Sequence, residues 1–325
     1  MKHRAVAITA REKAELVEVA APGALMSGEV RGPTICSLIS PGTELAYNYT
    51  GDKFPTFPGY SAVFRAQEVG SEVRGIAPGT ILFCMGPHRS FQQAEAKDTL
   101  PVPEGLAPEK AVIARLMGVS MTTLMTTAAR PGDRVMVTGA GPVGYLAAQM
   151  FRSSGYEVLI VEPDDERRRS VRAAGFTEVF EKVPCDDASI AGTVALAVEC
   201  SGHEGAVLDS CKVARARGEV VLVGVPWRRR TELYAQEVLS LVFFRYIVLR
   251  SGWEWELPIH ASEFRPHSNF SGFATALRWL AEGRIAVDGL ITIVNPRDAQ
   301  SAYQDLLRHK RGELFTVFDW GLSGA

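Results

Sequence analysis

The first third of the chain alternates between short apolar runs and turn signals. Apolar and polar positions alternate with a period near two for only a few residues at a time, which is typical of short β-strands. Proline and glycine turns separate the runs at Pro41-Gly42, Thr50-Gly51-Asp52, Phe57-Pro58-Gly59, Ala77-Pro78-Gly79 and Pro103-Glu104-Gly105. The pattern predicts an irregular β-rich region from residue 1 to about residue 115.

Helical periodicity begins after this region. Apolar side chains recur every three to four residues through Ala107–Thr127, which predicts a helix, and Pro131-Gly132-Asp133 closes that part of the chain. Strand-like runs then alternate with helical patterns, at Val135–Thr138, Val158–Val161, Thr193–Glu199, Glu219–Gly224 and Ile247–Ser251. This alternation predicts an α/β fold with a doubly wound parallel sheet. A helix at Phe270–Glu282 and strands at Leu290–Val294 and Phe315–Phe318 follow.

A glycine motif joins the first strand of the alternating region to its helix. Gly139, Gly141 and Gly144 have the G-x-G-x-x-G spacing, and Pro142 and Val143 open the helix between them. The three glycines permit a tight turn, close approach of a pyrophosphate to the backbone, and close packing of helix on sheet. Because strand, glycines, helix and second strand occur in this order, the sequence predicts a dinucleotide site.

The second strand of this unit ends at an acidic residue. Glu162 is placed where a carboxylate accepts hydrogen bonds from an adenosine ribose, which favours NAD over NADP. Arg167-Arg168-Arg169 offers an alternative, since arginines bind a 2′-phosphate. The preceding acidic run, Asp164-Asp165-Glu166, instead supplies helical charge partners, so these arginines are interpreted as a solvated face.

Composition narrows the class of protein. The chain has 325 residues, 46% of them hydrophobic and 22% charged, which allows two cores. A formal charge of −2 gives no indication of a nucleic-acid partner, and no apolar run is long enough to span a membrane. Met1-Lys2-His3-Arg4 leads into a strand without a signal sequence, so we expect a cytoplasmic protein. Five cysteines, an odd number, indicate reduced thiols.

Together these features resemble the medium-chain dehydrogenase/reductase superfamily over essentially the whole chain. Besides the glycine motif, the stretches that resemble it are Pro131-Gly132-Asp133-Arg134-Val135, Cys200-Ser201-Gly202 and Val223-Gly224. The resemblance implies a GroES-like catalytic domain (1–117 and 258–325) around an inserted Rossmann domain (118–257), with the active site in the cleft between them. It places Ser201, Gly202, Val223 and Gly224 beside the cofactor. It also implies a homodimer paired edge to edge through Glu219–Val225 and Tyr246–Arg250.

The chain departs from this superfamily at the metal positions. Its zinc alcohol dehydrogenases have Cys-His-Thr-Asp where this chain has Pro41-Gly42-Thr43-Glu44, and Gly-His-Glu where it has Gly59-Tyr60-Ser61. The third zinc ligand of those enzymes is a cysteine, at a position that falls near Met117 of this chain. Their structural zinc lobe would hold four cysteines near Leu82–Ala96, where this chain has only Cys84. Proline, tyrosine and methionine are poor zinc ligands, so the sequence predicts a zinc-independent member. Ser40–Glu44 resembles a zinc-less subgroup that includes bacteriochlorophyllide dehydrogenases.

Without zinc, side chains must exchange a proton with the substrate oxygen. Tyr60 is the first candidate, because a nearby cationic nicotinamide would favour its phenolate; Thr43 and His88 are the others. The alternatives are a half-buried aromatic for Tyr60, a local turn hydrogen bond for Thr43 and a loop contact for His88.

Further residues are candidates for binding the substrate. Glu44 is one, with burial beside an arginine as its alternative. Trp253 and Trp255 could stack on a ring or sugar face while Glu254 holds a hydroxyl, and the alternative is hinge and interface packing.

Three functional hypotheses remain open at this point. The first is a zinc-free NAD(H)-dependent oxidoreductase that interconverts an alcohol and a ketone on a polar small molecule, cyclic or sugar-like. The second is an NADPH-dependent quinone or enone reductase. The third is a nucleotide-binding protein without catalysis, since a fold does not guarantee chemistry.

Overall fold

The computed structural model describes residues 3–310 and 313–323, so Met1 and Lys2 of the N-terminal stretch lie outside the described residues. The described strands, numbered in chain order, are β1 His3–Ala10, β2 Lys13–Val19, β3 Glu29–Leu38, β4 Ala62–Arg65, β5 Glu68–Val69, β6 Ile81–Cys84, β7 Phe91–Glu95, β8 Thr99–Pro101, β9 Arg134–Thr138, β10 Glu157–Val161, β11 Val179–Phe180, β12 Val194–Glu199, β13 Ala214–Leu222, β14 Val248–Ser251, β15 Ile291–Val294 and β16 Phe315–Asp319.

The helices are numbered in the same way. They are α1 Pro41–Thr43, α2 Pro108–Ala111, α3 Ala114–Thr126, α4 Pro142–Ser153, α5 Asp165–Ala173, α6 Glu204–Val213, α7 Ala235–Arg245, α8 Asn269–Ala281 and α9 Ala299–Leu307. A π-helical turn spans Glu44–Tyr49, and 3₁₀ turns span Ala96–Asp98, Glu254–Glu256, Pro296–Asp298 and Trp320–Ser323. Within the described ranges, no helix is both long and apolar enough to cross a membrane.

The chain divides into two compact units. Unit 1 contains the described residues of Met1–Arg115, Ala274–Glu282 and Val287–Ala325. Unit 2 contains Leu116–Phe273 and Gly283–Ala286. The domain boundaries near 117 and 257 stay a prediction.

Unit 1 is rich in β-structure, as its short alternating runs predict. Strands β1 and β2 form a two-stranded sheet, and an eight-stranded sheet runs β15-β16-β3-β4-β6-β8, with β5 and β7 also paired to β3. One of its cores packs Val6 and Ile8 of β1 against Tyr49, Tyr303 and Phe318. Burial of these large side chains holds the π-helical turn and α9 against the strands.

Unit 2 contains one parallel sheet in the order β11-β10-β9-β12-β13-β14. This is the 3-2-1-4-5-6 order of a doubly wound sheet. All six residues of β12 are buried, as expected for a strand covered on both faces. The register places Thr138 beside Val161 and Glu199, so the carboxyl ends of three strands meet at one edge.

The predicted α/β class and the parallel sheet are confirmed. The predicted helix over 107–127 is two helices, α2 and α3, with Val112 and Ile113 between them. Strand β13 begins at Ala214 rather than Glu219, because the exposed Arg215–Arg217 segment continues the strand without an apolar pattern. All five cysteines are unpaired.

Candidate functional site

The glycine turn of unit 2 has a geometry that only glycine fits at two positions. Gly139 has φ +82°, in the left-handed region. A Cβ on Gly144 would overlap the carbonyl oxygen of Gly139, so the start of α4 approaches β9 too closely for any side chain. The turn and the close packing predicted for these two glycines are therefore present.

The third glycine leaves open space at the N-terminus of α4. Gly141 is the N-cap residue, no side chain caps the helix, and Pro142 occupies its first turn. A Cβ added to Gly141 would meet nothing within 4 Å. The N–H groups of a first helical turn have no partners within the helix and favour an anion. The residues present therefore fit the pyrophosphate of a dinucleotide.

Glu162 follows β10 and holds the glycine turn in place. Its Oε2 accepts a hydrogen bond from the Ala140 N–H at 2.6 Å, and its Oε1 accepts one from the Asp164 N–H at 2.9 Å. The side chain is buried. Each carboxylate oxygen retains a second lone pair, so the chemistry suits a ribose diol, while the observed contacts are structural.

The neighbouring arginines are occupied by local partners. Arg168 donates to the carbonyl oxygen of Glu162 at 2.8 Å, and Arg169 pairs with Asp165 at helical spacing. Arg167 Nη1 lies 3.9 Å from Glu162 Oε2. The charge partners expected on this helix are present, and Arg167 is the member of the run that pairs with the carboxylate of Glu162.

A second buried carboxylate, which the sequence analysis missed, shapes the turn after β12. Glu199 Oε1 accepts hydrogen bonds from the Ser201 N–H at 2.7 Å and from Thr138 Oγ1 at 3.2 Å. The Gly202 N–H donates to both of its oxygens, and the Gly224 N–H donates to its main-chain oxygen at 2.6 Å. Glu199 thus ties together the ends of three strands. Its signal was a charged residue that ends an otherwise apolar strand.

The remaining predicted cofactor residues lie at the same edge of the sheet. Gly202 has φ +65°, and a Cβ there would lie 2.5 Å from Val225 O. Val223 is buried and follows β13. Ser201, Gly202, Val223 and Gly224 are thus brought together with the glycine turn, which we call the nucleotide cradle: Gly139–Gly144, Glu162, Ser201–Gly202 and Val223–Gly224.

Tyr60 of unit 1 lies in a partly buried polar setting. Its hydroxyl donates to Ser40 Oγ, and the Arg115 guanidinium stacks over its ring, 4.7 Å from the centroid. Burial raises the pKa of Tyr60, although hydrogen bonds with Ser40 and Thr43 lower it. The Glu44 charge raises the pKa further and the Arg115 charge lowers it. Burial thus opposes the ionisation that a cationic nicotinamide would favour, and the preference for the phenolate beside the bound cofactor stays a prediction.

His88 belongs to a sealed group of side chains that we call the buried polar cluster: Ser37, Glu44, His88, Tyr303 and Trp320. His88 Nδ1 lies 2.8 Å from Ser37 Oγ, and Nε2 lies 3.0 Å from Glu44 Oε2. Tyr303 donates to the same Glu44 oxygen at 2.5 Å, and Trp320 Nε1 donates to Ser37 Oγ at 3.0 Å. These residues come from β3, the π-helical turn, a loop, α9 and the last 3₁₀ turn.

The donors and acceptors of this cluster define a direction. Since Ser37 accepts from Trp320, its own hydroxyl is available to donate to His88 Nδ1, and His88 then donates from Nε2 to Glu44. His88 has 0% exposure and its ring packs edge-on against Phe318. This geometry favours the loop-contact alternative for His88 over direct proton exchange. Glu44 is buried beside a histidine and a tyrosine rather than an arginine, and its 1% exposure leaves no room for a substrate contact.

The two candidate tryptophans are exposed. Trp253 and Trp255 have 67% and 43% of their surface exposed and flank Glu254, which is 7% exposed. The backbone N–H of Trp253 donates a hydrogen bond to Ser251 Oγ at 3.1 Å. The indole faces are therefore available for stacking, whereas the carboxylate of Glu254 has little access to a substrate.

No three His, Cys, Asp or Glu side chains converge on a possible metal position anywhere in 3–310 or 313–323. Proline, tyrosine and methionine, the residue types at Pro41, Tyr60 and Met117, are each poor ligands for zinc.

The chain matches known proteins in sequence and in fold. Residues 142–251 match the family model described as zinc-binding dehydrogenase. Among curated relatives, glucose 1-dehydrogenase of Metallosphaera sedula is 27% identical over 57% of this chain and 48% of its own length. L-galactonate-5-dehydrogenase of Escherichia coli is 27% identical over 43% of each chain. The alignments span about half the length of such relatives.

Solved structures cover nearly the whole chain. Galactitol-1-phosphate dehydrogenase of Escherichia coli superposes with a TM-score of 0.83 at 16% identity, over 97% of this chain and 99% of that one. The sequence matches are to dehydrogenases, and the superposition shows the fold of the chain. The predicted GroES-like and Rossmann architecture is confirmed. The family match excludes Pro41, Tyr60 and Met117, so its zinc-binding name carries no information about them.

Two further solved structures with this fold contain a nicotinamide cofactor. A zinc-binding dehydrogenase of Sinorhizobium meliloti, bound to NADP, has a TM-score of 0.77 at 18% identity over 98% of this chain and 99% of that one. Acetophenone reductase of Geotrichum candidum, in complex with NAD, has a TM-score of 0.80 at 12% identity over 98% of this chain and 97% of that one. One of these two proteins was thus solved with NADP and the other with NAD.

Proposed function

We propose that this protein is an NAD(H)-dependent oxidoreductase that interconverts an alcohol and a ketone on a polar, sugar-like small molecule without zinc. The observation that carries the proposal is the nucleotide cradle, in which an uncapped helix N-terminus faces open space at Gly141. The substrate class is supported by the names of relatives that act on sugars and sugar acids.

In this proposal the first turn of α4 binds the pyrophosphate and Glu162 accepts hydrogen bonds from the adenosine ribose. A carboxylate at that position repels a 2′-phosphate, which favours NAD over NADP. Arg167 is the group that would oppose this preference. The bound nicotinamide supplies or accepts the hydride.

Tyr60 is the proposed proton donor and acceptor. In the reducing direction its phenol gives a proton to the carbonyl oxygen of the substrate, and Thr43 is proposed to assist Tyr60 with its hydroxyl. A raised pKa suits this role, because the phenol stays protonated at neutral pH. Trp253 and Trp255 are proposed to stack on the substrate.

The test combines cofactor, metal and substrate. We expect NADH to quench tryptophan fluorescence on binding and NADPH to bind at least about tenfold more weakly, as one lost charge contact would produce. We expect oxidation of a member of a polyol panel that survives dialysis against a chelator, with no stoichiometric zinc by elemental analysis. Reduction of quinones or enones with NADPH alone would establish the alternative enzyme, and binding without turnover the non-catalytic one.

We also propose a homodimer. The outer edge of β14 is a free sheet edge among the described strands, with Tyr246 and Val248 exposed beside it. Strand β13 is paired on both sides, so Glu219–Leu222 provides no free edge, and the proposed pairing rests on Tyr246–Arg250. The sedimentation coefficients of the wild type and of the Val248→Lys variant, measured at the same concentration, test whether this edge forms the dimer.

The five unpaired cysteines support the proposed cytoplasmic location.

A further inference from the structure

Ser40 lies between a buried carboxylate and the phenol of Tyr60. Its backbone N–H donates to Glu44 Oε1 at 2.8 Å. Its side-chain oxygen accepts the hydrogen bond from the Tyr60 hydroxyl. Ser40 is itself only 7% exposed, so both bonds are made away from bulk water.

The carboxylate behind Ser40 is held from three directions. His88 Nε2 and the Tyr303 hydroxyl both lie within hydrogen-bond distance of Glu44 Oε2, and the Ser40 N–H reaches Oε1. Three donors stabilise a buried negative charge and leave it no freedom to rotate. The backbone of Ser40 is consequently fixed by the buried polar cluster.

A serine hydroxyl can serve the phenol in both of its protonation states. While Tyr60 is protonated, Ser40 Oγ accepts from it, as observed. When Tyr60 loses its proton, the same oxygen can turn its own hydrogen toward the phenolate with the heavy atoms unmoved. A hydrogen bond to a charged acceptor is stronger than one between neutral groups, so Ser40 favours the phenolate.

Two charges act on Tyr60 in opposite directions. Glu44, in the π-helical turn, opposes ionisation, and Arg115, over the ring from α3, favours it. Two more titratable groups lie behind Tyr60. They are His88 and Tyr303, and both contact Glu44. The pKa of Tyr303 is raised by burial and by the Glu44 charge, so Tyr303 remains a donor.

We propose that Ser40 is a positioning residue for proton transfer at Tyr60, with Glu44 fixing its backbone. The inference rests on the proposed function, in which Tyr60 exchanges the proton. In ketone reduction, hydride adds to the carbonyl carbon and the C=O π pair moves to oxygen, which takes the phenolic proton. Ser40 donates to the resulting phenolate, and water returns the proton; alcohol oxidation runs the same steps in reverse.

The first test needs no cofactor or substrate. The ionisation of Tyr60 is followed by the ultraviolet absorbance of tyrosinate during an alkaline titration, as the difference from the Tyr60→Phe protein. We expect Ser40→Ala to move this ionisation upward by about one pH unit, as loss of a hydrogen bond to a charged group requires. Ser40→Thr, which keeps the hydroxyl, should restore it, and Glu44→Gln should move it downward.

The matched control is Ser210→Ala, which removes a buried hydroxyl in unit 2 that has no hydrogen-bond partner within the described residues. It should leave the titration unchanged. A Ser40→Ala titration that coincides with this control overturns the proposal, whatever becomes of Glu44→Gln, which risks unfolding.

The second test is the pH profile of kcat. If the proposal holds, its alkaline limb moves with the tyrosinate titration in each folded variant, whereas a merely structural loss lowers kcat without moving the limb. If the titration shifts but the protein turns over no substrate, the coupling of Ser40 to Tyr60 is supported and the proposed oxidoreductase function is overturned. An active enzyme whose limb does not move overturns the positioning role alone.

Discussion

The carboxylate of Glu162 accepts a hydrogen bond from the backbone N–H of Ala140, with 2.6 Å between Oε2 and N. This contact links the residue after the second parallel strand to the middle of the glycine turn. The sequence predicts that Glu162 binds the cofactor, and the structure shows that it also holds the glycine turn in place.

Replacement of Glu162 by alanine should therefore weaken folding as well as binding. The buried N–H of Ala140 and the partly buried N–H of Asp164 would lose their acceptor, which costs about 1 to 3 kcal/mol in the free energy of unfolding. Glu162→Gln keeps one acceptor oxygen and should lose about half of this. Urea unfolding measures the effect, with Glu157→Ala on the same strand as an exposed control. Equal midpoints for the two alanine variants would contradict the contact.

The glycines of the turn should separate stability from binding. Gly144→Ala places a methyl group on the Gly139 carbonyl oxygen and should cost about 1 to 3 kcal/mol or more in stability. Gly141→Ala meets open space in an ordinary backbone conformation, so it should unfold like the wild type. It should bind NADH at least about tenfold more weakly, because the methyl group occupies the approach of the pyrophosphate. Normal NADH binding by Gly141→Ala would place the cofactor elsewhere.

Tyr60→Phe should lower turnover by at least about tenfold while NADH still binds. Because burial raises the pKa of Tyr60, ketone reduction by the wild type should be steady across neutral pH. It should fall only above the ordinary tyrosine value of about 10. The exposed Tyr47→Phe is the control for loss of a phenol. Unchanged turnover in Tyr60→Phe ends the assignment.

Tyr303 should contribute stability that depends on alkaline pH. Its pKa is raised in the folded protein, so its contribution is complete below the unfolded value of about 10 and is lost as pH rises beyond it. Tyr303→Phe removes a donor to Glu44 and should cost about 1 to 3 kcal/mol at pH 7.

Urea midpoints between about pH 9 and about pH 11 should then fall less steeply in Tyr303→Phe than in the wild type. The Tyr47→Phe protein should follow the wild type. Parallel slopes in all three proteins would refute a perturbed Tyr303.

The parallel sheet could be predicted from the sequence because its strands are buried on both faces and appear as continuous apolar runs. The glycine turn could also be predicted from the sequence, because the backbone geometry alone requires glycine at Gly139 and Gly144. The start of β13 was missed because the exposed Arg215–Arg217 segment has no apolar period.

The buried polar cluster could not be predicted in the same way. His88, Glu44 and Tyr303 lie far apart in sequence, and each by itself is typical of a surface or loop. Only the pairing of β16 with β3 and the packing of α9 bring their elements together. The role of Glu199 was easier to predict from the sequence, because a charged residue at the end of an otherwise apolar strand indicates a buried acceptor.

Every member of the buried polar cluster is a donor or an acceptor for another member. Exchange of any one side chain for an apolar residue leaves an unmatched group in a region that water does not reach. Single substitutions at these five positions are therefore costly, and a lineage or a laboratory selection that moves by single substitutions should change them less readily than paired substitutions would allow.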